Sequence, residues 1–229
     1  MSTTINYIDV TKNPQFSQLF FKSCYAFALD VLKNFKDTMT YDEFSNNVRY
    51  SFLMICKNVK NLDEFKWLLD NSNVTINEQI EERHAQNVGQ SVLSYASQNI
   101  NTKDILQYCL DNMGSFDINL LFPATYNVGD PFTMICGYQI PENKLEMCLM
   151  LIKKGANYKN AYVPALKWDC YDVLKYIVMQ EDFNKNEKVK GSIQMSYEKL
   201  AQHWKKDKAL QIINISKQIK ELKSLFDSL

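Results

Sequence analysis

Apolar residues along this chain recur at spacings of three and four, the period that gives a helix one apolar face. Four ten-residue segments share the pattern closely: Leu62–Asn71, Lys103–Asn112, Leu145–Lys154 and Tyr171–Gln180. In the first, Phe65, Leu68 and Leu69 fall on one side; in the last, Leu174, Ile177 and Val178 do. Each segment has a carboxylate at its second position: Asp63, Asp104, Glu146 and Asp172. A carboxylate there suits a helix start, where unpaired N–H groups and the macrodipole favour negative charge. Asn61 with Glu64 predicts a capping-box pair at the first of these starts.

A shorter apolar cluster precedes each segment: Phe52–Cys56, Leu93–Ala96, Phe132–Cys136 and Tyr162–Leu166. Counted from their first residues (52, 93, 132, 162), the clusters recur at intervals of 41, 39 and 30 residues. Each unit closes alike, on Thr75–Asn77, Asp117–Asn119, Asn157–Lys159 and Asp182–Asn184. The pattern predicts helix–turn–helix units in tandem, joined by polar exits. On the N-terminal side, Gln15 to Lys36 carries apolar residues at helical spacing. Thr40 with Glu43 predicts a second capping box, opening a helix that presents Phe44, Val48, Phe52 and Ile55 on one face. On the C-terminal side, Ser196 to Leu229 reads as one or two amphipathic helices. Leu200, Trp204, Leu210, Ile213, Ile219, Leu222 and Leu225 supply their apolar side.

The order of cluster, second helix and exit resembles the ankyrin repeat. Asn160 to Gln180 aligns with that family's pattern without a gap, Gly155-Ala156 matches its Gly-Ala, and Asp130-Pro131-Phe132 resembles its Thr-Pro-Leu. The resemblance spans about residues 50 to 184, some three-fifths of the chain. The full Thr-Pro-Leu-His tetrapeptide appears nowhere, and insertions at 78–89 and 137–143 lengthen the middle units. The resemblance implies an all-α fold, an ankyrin-like helix-pair solenoid with helical caps at both ends. Its parts are a cap at 1–44, about four divergent repeats at 45–184 and a basic helical cap at 185–229. Terminal units of such a stack need atypical covers, because each repeat buries its face only against a neighbour.

Composition narrows the function. With 26 basic and 26 acidic residues the formal net charge is +0, which excludes a uniformly basic nucleic-acid coat. The balance is uneven along the chain. Lys185 to Lys223 holds ten lysines against Glu187, Glu198, Asp207 and Glu221, leaving about −6 elsewhere. The only arginines are Arg49 and Arg83, which argues against sequence-specific nucleic-acid recognition. A solvated helix face accounts for the spaced lysines, and an anionic membrane surface is a second use for them. No stretch approaches the roughly 20 apolar residues of a membrane span, and Met1 to Tyr7 lacks the charged start and apolar core of a secretory signal. Six cysteines without a CxxC, mostly among apolar residues, suit a reducing compartment and small buried side chains. The expectation is a cytoplasmic protein. Abundant Asn and Lys suggest an AT-rich genome and are consistent with a host-directed effector of an intracellular microbe or virus, delivered to a host cell.

Catalytic and metal chemistry find little footing. Cys170 with His203 is a conceivable nucleophile pair, but no elbow or glycine cluster accompanies it, and the family places a histidine of structural role at the Cys170 position. Glu81-Glu82 beside Arg83-His84 reads as a solvated charge run. Clustered Cys/His spacing for zinc and glycine-rich phosphate loops are both absent from the sequence. The chain is therefore expected to be no enzyme, with neither cofactor nor metal, and to bind another protein. The resemblance places partner contacts at loop tips and inner-helix ends: Tyr126, Asn127, Tyr138, Gln139, Tyr158, Lys159 and Trp168. Tyrosine and tryptophan are enriched in binding hot spots, although the same rings could instead fill gaps between repeats. Lys205, Lys206 and Lys208 form the basic patch of the rival reading, an adaptor that associates with membrane or nucleic acid. A cryptic enzyme in the insertions or the tail is a further alternative.

Overall fold

Every one of the recurring apolar segments is helical in the computed structural model, which describes residues 19, 29–38, 40–56, 58–77, 79–80, 90–98, 103–121, 130–189 and 194–228. The fold is all-α, and the β pairing among the described residues is minimal. Two-residue strands β1 (Gln79–Ile80) and β2 (Gln90–Ser91) pair antiparallel across the insertion at 78–89, and a lone bridge joins Lys188 to Ser196. The described residues contain no helix long and apolar enough to cross a membrane. Contacts divide the chain into two units, Met1–Gly114 and Ser115–Leu229.

The first unit holds α1 (Leu29–Thr38), α2 (Tyr41–Cys56), α3 (Leu62–Asp70), α4 (Val92–Gln98) and α5 (Asp104–Asn112). The predicted N-terminal helix is seen here only from residue 29 onward, and the rest of Gln15 to Lys36, Leu19 apart, lies outside the described residues. Asn61 caps α3 as expected: its side-chain oxygen accepts from the Glu64 N–H at 2.9 Å. The reciprocal bond is shifted by one residue, because the Glu64 carboxylate accepts from the Lys60 N–H at 2.7 Å. Helix α2 packs on α3 and α4 on α5; across the pairs, α2 meets α4 and α3 meets α5. Phe44, Phe52, Phe65, Leu68, Leu93 and Ile105 are fully buried there. Edge-to-face contacts of Phe44 with Trp67 and of Phe65 with Tyr108, both at 6.2 Å, fill the remaining space. The turn after α3 is held by Arg49, whose guanidinium donates to the Asn73 carbonyl at 2.8 Å.

The second unit holds α6 (Pro131–Tyr138), α7 (Pro141–Lys153), α8 (Tyr162–Lys167), α9 (Tyr171–Met179), α10 (Tyr197–His203) and α11 (Asp207–Asp227). Pairing repeats here: α6 packs on α7 and α8 on α9, while α6 meets α8 and α7 meets α9. Helix α7 starts four residues earlier than the Leu145 segment predicts. Pro141, at the first helical position, has no N–H to leave unpaired. The lengthening at 137–143 therefore supplies the end of α6, a turn and the first turn of α7. Glu146 falls in mid-helix, and Glu142 takes the N-terminal carboxylate role.

Polar exits stitch consecutive pairs together. The Asn119 side chain donates to the Gly155 carbonyl and accepts from the Asn157 N–H, both at 2.9 Å. The equivalent Asn77, in the first unit, donates to the Met113 carbonyl at 3.1 Å. At the third exit, Lys159 replaces asparagine, and its ammonium reaches Glu187 at 2.8 Å and Asp182 at 3.5 Å. Gly155, at φ +106°, takes a conformation other residues rarely adopt, and Gly114 holds the equivalent place after α5 at φ +61°.

The region read as a basic cap contains a further turn of the same design. Trp168 N–H donates to the Pro164 carbonyl and Cys170 N–H to Ala165; in parallel, Trp204 N–H donates to Leu200 and Lys206 N–H to Ala201. Between them, Asp169 and Lys205 both sit at φ +54°. Helices α10 and α11 are thus joined as α8 and α9 are. Buried Tyr162 donates its hydroxyl to the Tyr197 carbonyl at 2.9 Å, and its ring meets Tyr197 edge-on at 4.6 Å.

Candidate functional site

Helix–helix turns of the second unit carry exposed aromatic and cationic side chains. Tyr138 and Ile140 protrude at the α6–α7 turn, and Trp168 protrudes at the α8–α9 turn. The two turns touch. A side chain on Gly137 would meet the Trp168 indole at 3.1–3.3 Å, so glycine is what lets the ring come this close to the end of α6. Beside it runs a shallow groove of about 290 Å³, lined by Pro141, Lys144, Trp168, Asp169, Tyr171 and Lys208.

Two of the three basic-patch lysines converge on this same place. Lys206 donates to both Asp169 carboxylate oxygens at 2.9 Å, and Lys208 lies 4.3 Å from the centre of the Tyr171 ring. Burial pushes the Asp169 carboxyl up, but the bonds from Lys206 and Tyr171 outweigh it and hold the group below its ordinary value. Lys205 is exposed at the apex of the turn. The sequence separates Trp168 from Lys206 by 38 residues; the fold places them on either side of Asp169. Lys206 and Lys208 therefore stand beside the Trp168–Tyr171 turn.

Other candidates have structural employment. Gln139 is buried, so its side chain cannot serve as a surface contact. Tyr158 donates its hydroxyl to the Asp182 carboxylate, which sends the Tyr158 pKa up and the Asp182 pKa down, although burial is the larger cause for the tyrosine. Lys159, mostly covered, is held by Glu187 and Asp182. Both residues clasp the third exit to the fourth. Tyr126, Asn127 and the Glu81–His84 run lie outside the described residues, as does Cys24.

Five cysteines are described, and all are buried with free thiols. The Cys170 thiol donates to the carbonyls of Cys136 at 3.5 Å and Trp168 at 3.6 Å. Contact with the Cys136 thiol, then burial, drives the Cys170 pKa far up; Cys136 is raised chiefly by Cys148. Such thiols stay protonated and are poor nucleophiles. His203 is exposed on α10. Among the described residues, no group of three His, Cys, Asp or Glu side chains is placed to hold a metal ion.

The Ala-x-x-Trp recurrence at 165–168 and 201–204 is a sequence signal for the fifth turn that periodicity alone overlooks. Ile140, missed as a surface residue, carries no local mark of its exposure. Comparison of the chain with protein-family models, curated proteins and solved structures finds no match.

Proposed function

We propose that this chain is a non-catalytic protein-binding scaffold of ankyrin-like helix pairs, using the turn surface around Trp168 and Tyr138. One observation carries the reading: large aromatic and aliphatic side chains stand exposed on consecutive, mutually packed turns, beside a groove edged by Lys144 and Lys208. Exposed Tyr and Trp anchors on a rigid support bind at low entropic cost. The lysines favour a partner segment that combines an apolar anchor with acidic residues. Cytoplasmic placement and delivery to a host cell remain part of the proposal.

The test compares captured proteins between the wild type and a Tyr138→Ala/Trp168→Ala variant, with circular dichroism to confirm folding. The proposal expects one or more partners lost from the folded double variant. Undiminished capture by that variant overturns the surface assignment. The rival reading, a tail that adheres to anionic surfaces, is separated by Lys199→Ala with Lys205→Ala. Both lysines are exposed and outside the groove, so their loss should leave protein capture intact.

A further inference from the structure

The last helix presents two faces, and only one of them is used. Ala209, Ile213 and Ser216 are buried, and Lys220 donates to the carbonyls of Gln180 and Phe183. Helix α11 also packs against α9 along this inward stripe. About a quarter-turn around the cylinder runs a second stripe: Ile212, Ile215, Ile219, Leu222 and Phe226. Ile215 is 54% exposed, Ile219 44%, Leu222 56% and Phe226 73%. Ile219, Leu222 and Leu225, expected on the apolar side of the C-terminal helices, stand exposed to solvent.

We propose that this stripe is the seam of a homodimer, in which α11 pairs antiparallel with α11 of a second copy of this chain. Its spacing alternates three and four over two heptads, the a/d pattern by which two helices interdigitate rather than the broader face a globular core buries. In an antiparallel register with its two-fold between residues 220 and 221, Ile219 meets Leu222 of the other copy and Ile215 meets Phe226. Charge permits the pairing. Lys217 and Glu221 pair with each other at 3.5 Å on the opposite side of the helix, and the positions flanking the seam are mainly Gln211, Ser216, Gln218 and Leu225. Lys223, the charged flank, is turned toward Glu181 at 3.5 Å.

Area decides what kind of dimer this is. Roughly 80 Å² from each of Ile215, Ile219, Leu222 and the flanking Leu225, with about 150 Å² from Phe226, would cover about 900 Å² over two copies, in the range of weak, transient association. The association should therefore be reversible and dependent on concentration. This inference is independent of the Trp168 surface.

The experiment is sedimentation velocity on the full chain from about 1 to 200 μM, a range suited to interfaces of this size. The wild type should move from the 26.8 kDa monomer toward twice that mass as concentration rises. Ile219→Asp and Leu222→Glu should each remain monomeric with unchanged circular dichroism and melting, because neither side chain is buried. Ile215→Glu and Phe226→Lys should be monomeric alone and should pair when mixed, as only the antiparallel register sets 215 against 226. A wild type that stays monomeric at the highest concentration overturns the proposal, and so does a dimer that survives Ile219→Asp. Binding of the monomer to vesicles of anionic phospholipid, lost in Leu222→Glu without any self-association of the wild type, would assign the stripe to a membrane surface and overturn it too.

Discussion

Asp130 caps α6 from a site that is almost dry. Its carboxylate accepts from the Thr133 N–H at 2.9 Å and from the Thr133 hydroxyl at 2.7 Å, bonds that favour the charged form. Burial nonetheless dominates and raises the carboxyl from 3.8 to about 6. A shift of about two units corresponds to ~3 kcal/mol of differential stability. The sign follows from proton counting. Between about pH 4 and 6 the folded protein holds this proton while the unfolded chain releases it, so stability falls as pH rises through that window. At neutral pH the buried charge is a standing cost, carried for the sake of the cap. Asp130→Asn keeps an acceptor for the Thr133 N–H and cannot ionise, and Asn is as good an N-cap as Asp. The variant should therefore gain ~1–3 kcal/mol at pH 7 and close to nothing at pH 4. Urea unfolding followed by far-ultraviolet circular dichroism at the two pH values measures it. A variant that is less stable than the wild type at pH 7 would show that the charged hydrogen bonds outweigh burial, and would refute the reasoning.

Three further predictions concern paired or buried side chains. Asn119→Ala removes the donor to Gly155 and the acceptor for Asn157, and should cost about 1–3 kcal/mol in urea unfolding; a neutral effect would mean that water replaces both bonds. The buried thiols of Cys56, Cys109, Cys136 and Cys170, all raised above their ordinary value, should react slowly with a disulfide reagent at pH 8 in a Cys24→Ser variant and quickly once urea unfolds it. Rapid labelling of several thiols in the native variant would contradict the burial described here. Lys206→Met strips Asp169 of its ammonium partner, so the carboxyl should titrate at higher pH in a carbon-detected NMR experiment; the partly exposed pair should add under ~1 kcal/mol to stability.

Particular residues show where sequence reading succeeds and where it stops. Asn61 with Glu64 identifies a helix start because the capping bonds span three or four residues. Tyr158 and Lys159 read as loop-tip contacts because nothing within a few residues reveals that Asp182 and Glu187 will hold them. Gln139 looks as exposed as Tyr138, its neighbour, yet backbone direction at one turn buries the first and presents the second. Glu146 has the right offset for a helix N-terminus, but Pro141 moves the start upstream.

By itself, the sequence determined that this protein is made of paired amphipathic helices with polar exits, because period, caps and turn residues act over a handful of positions. Which face of each helix is covered was decided only by tertiary packing. Helix α11 is apolar on two sides, and α9 can occupy just one of them. The basic tail likewise became part of an aromatic groove only when the fold set Lys206 against Asp169, a pairing of charges that no local spacing encodes.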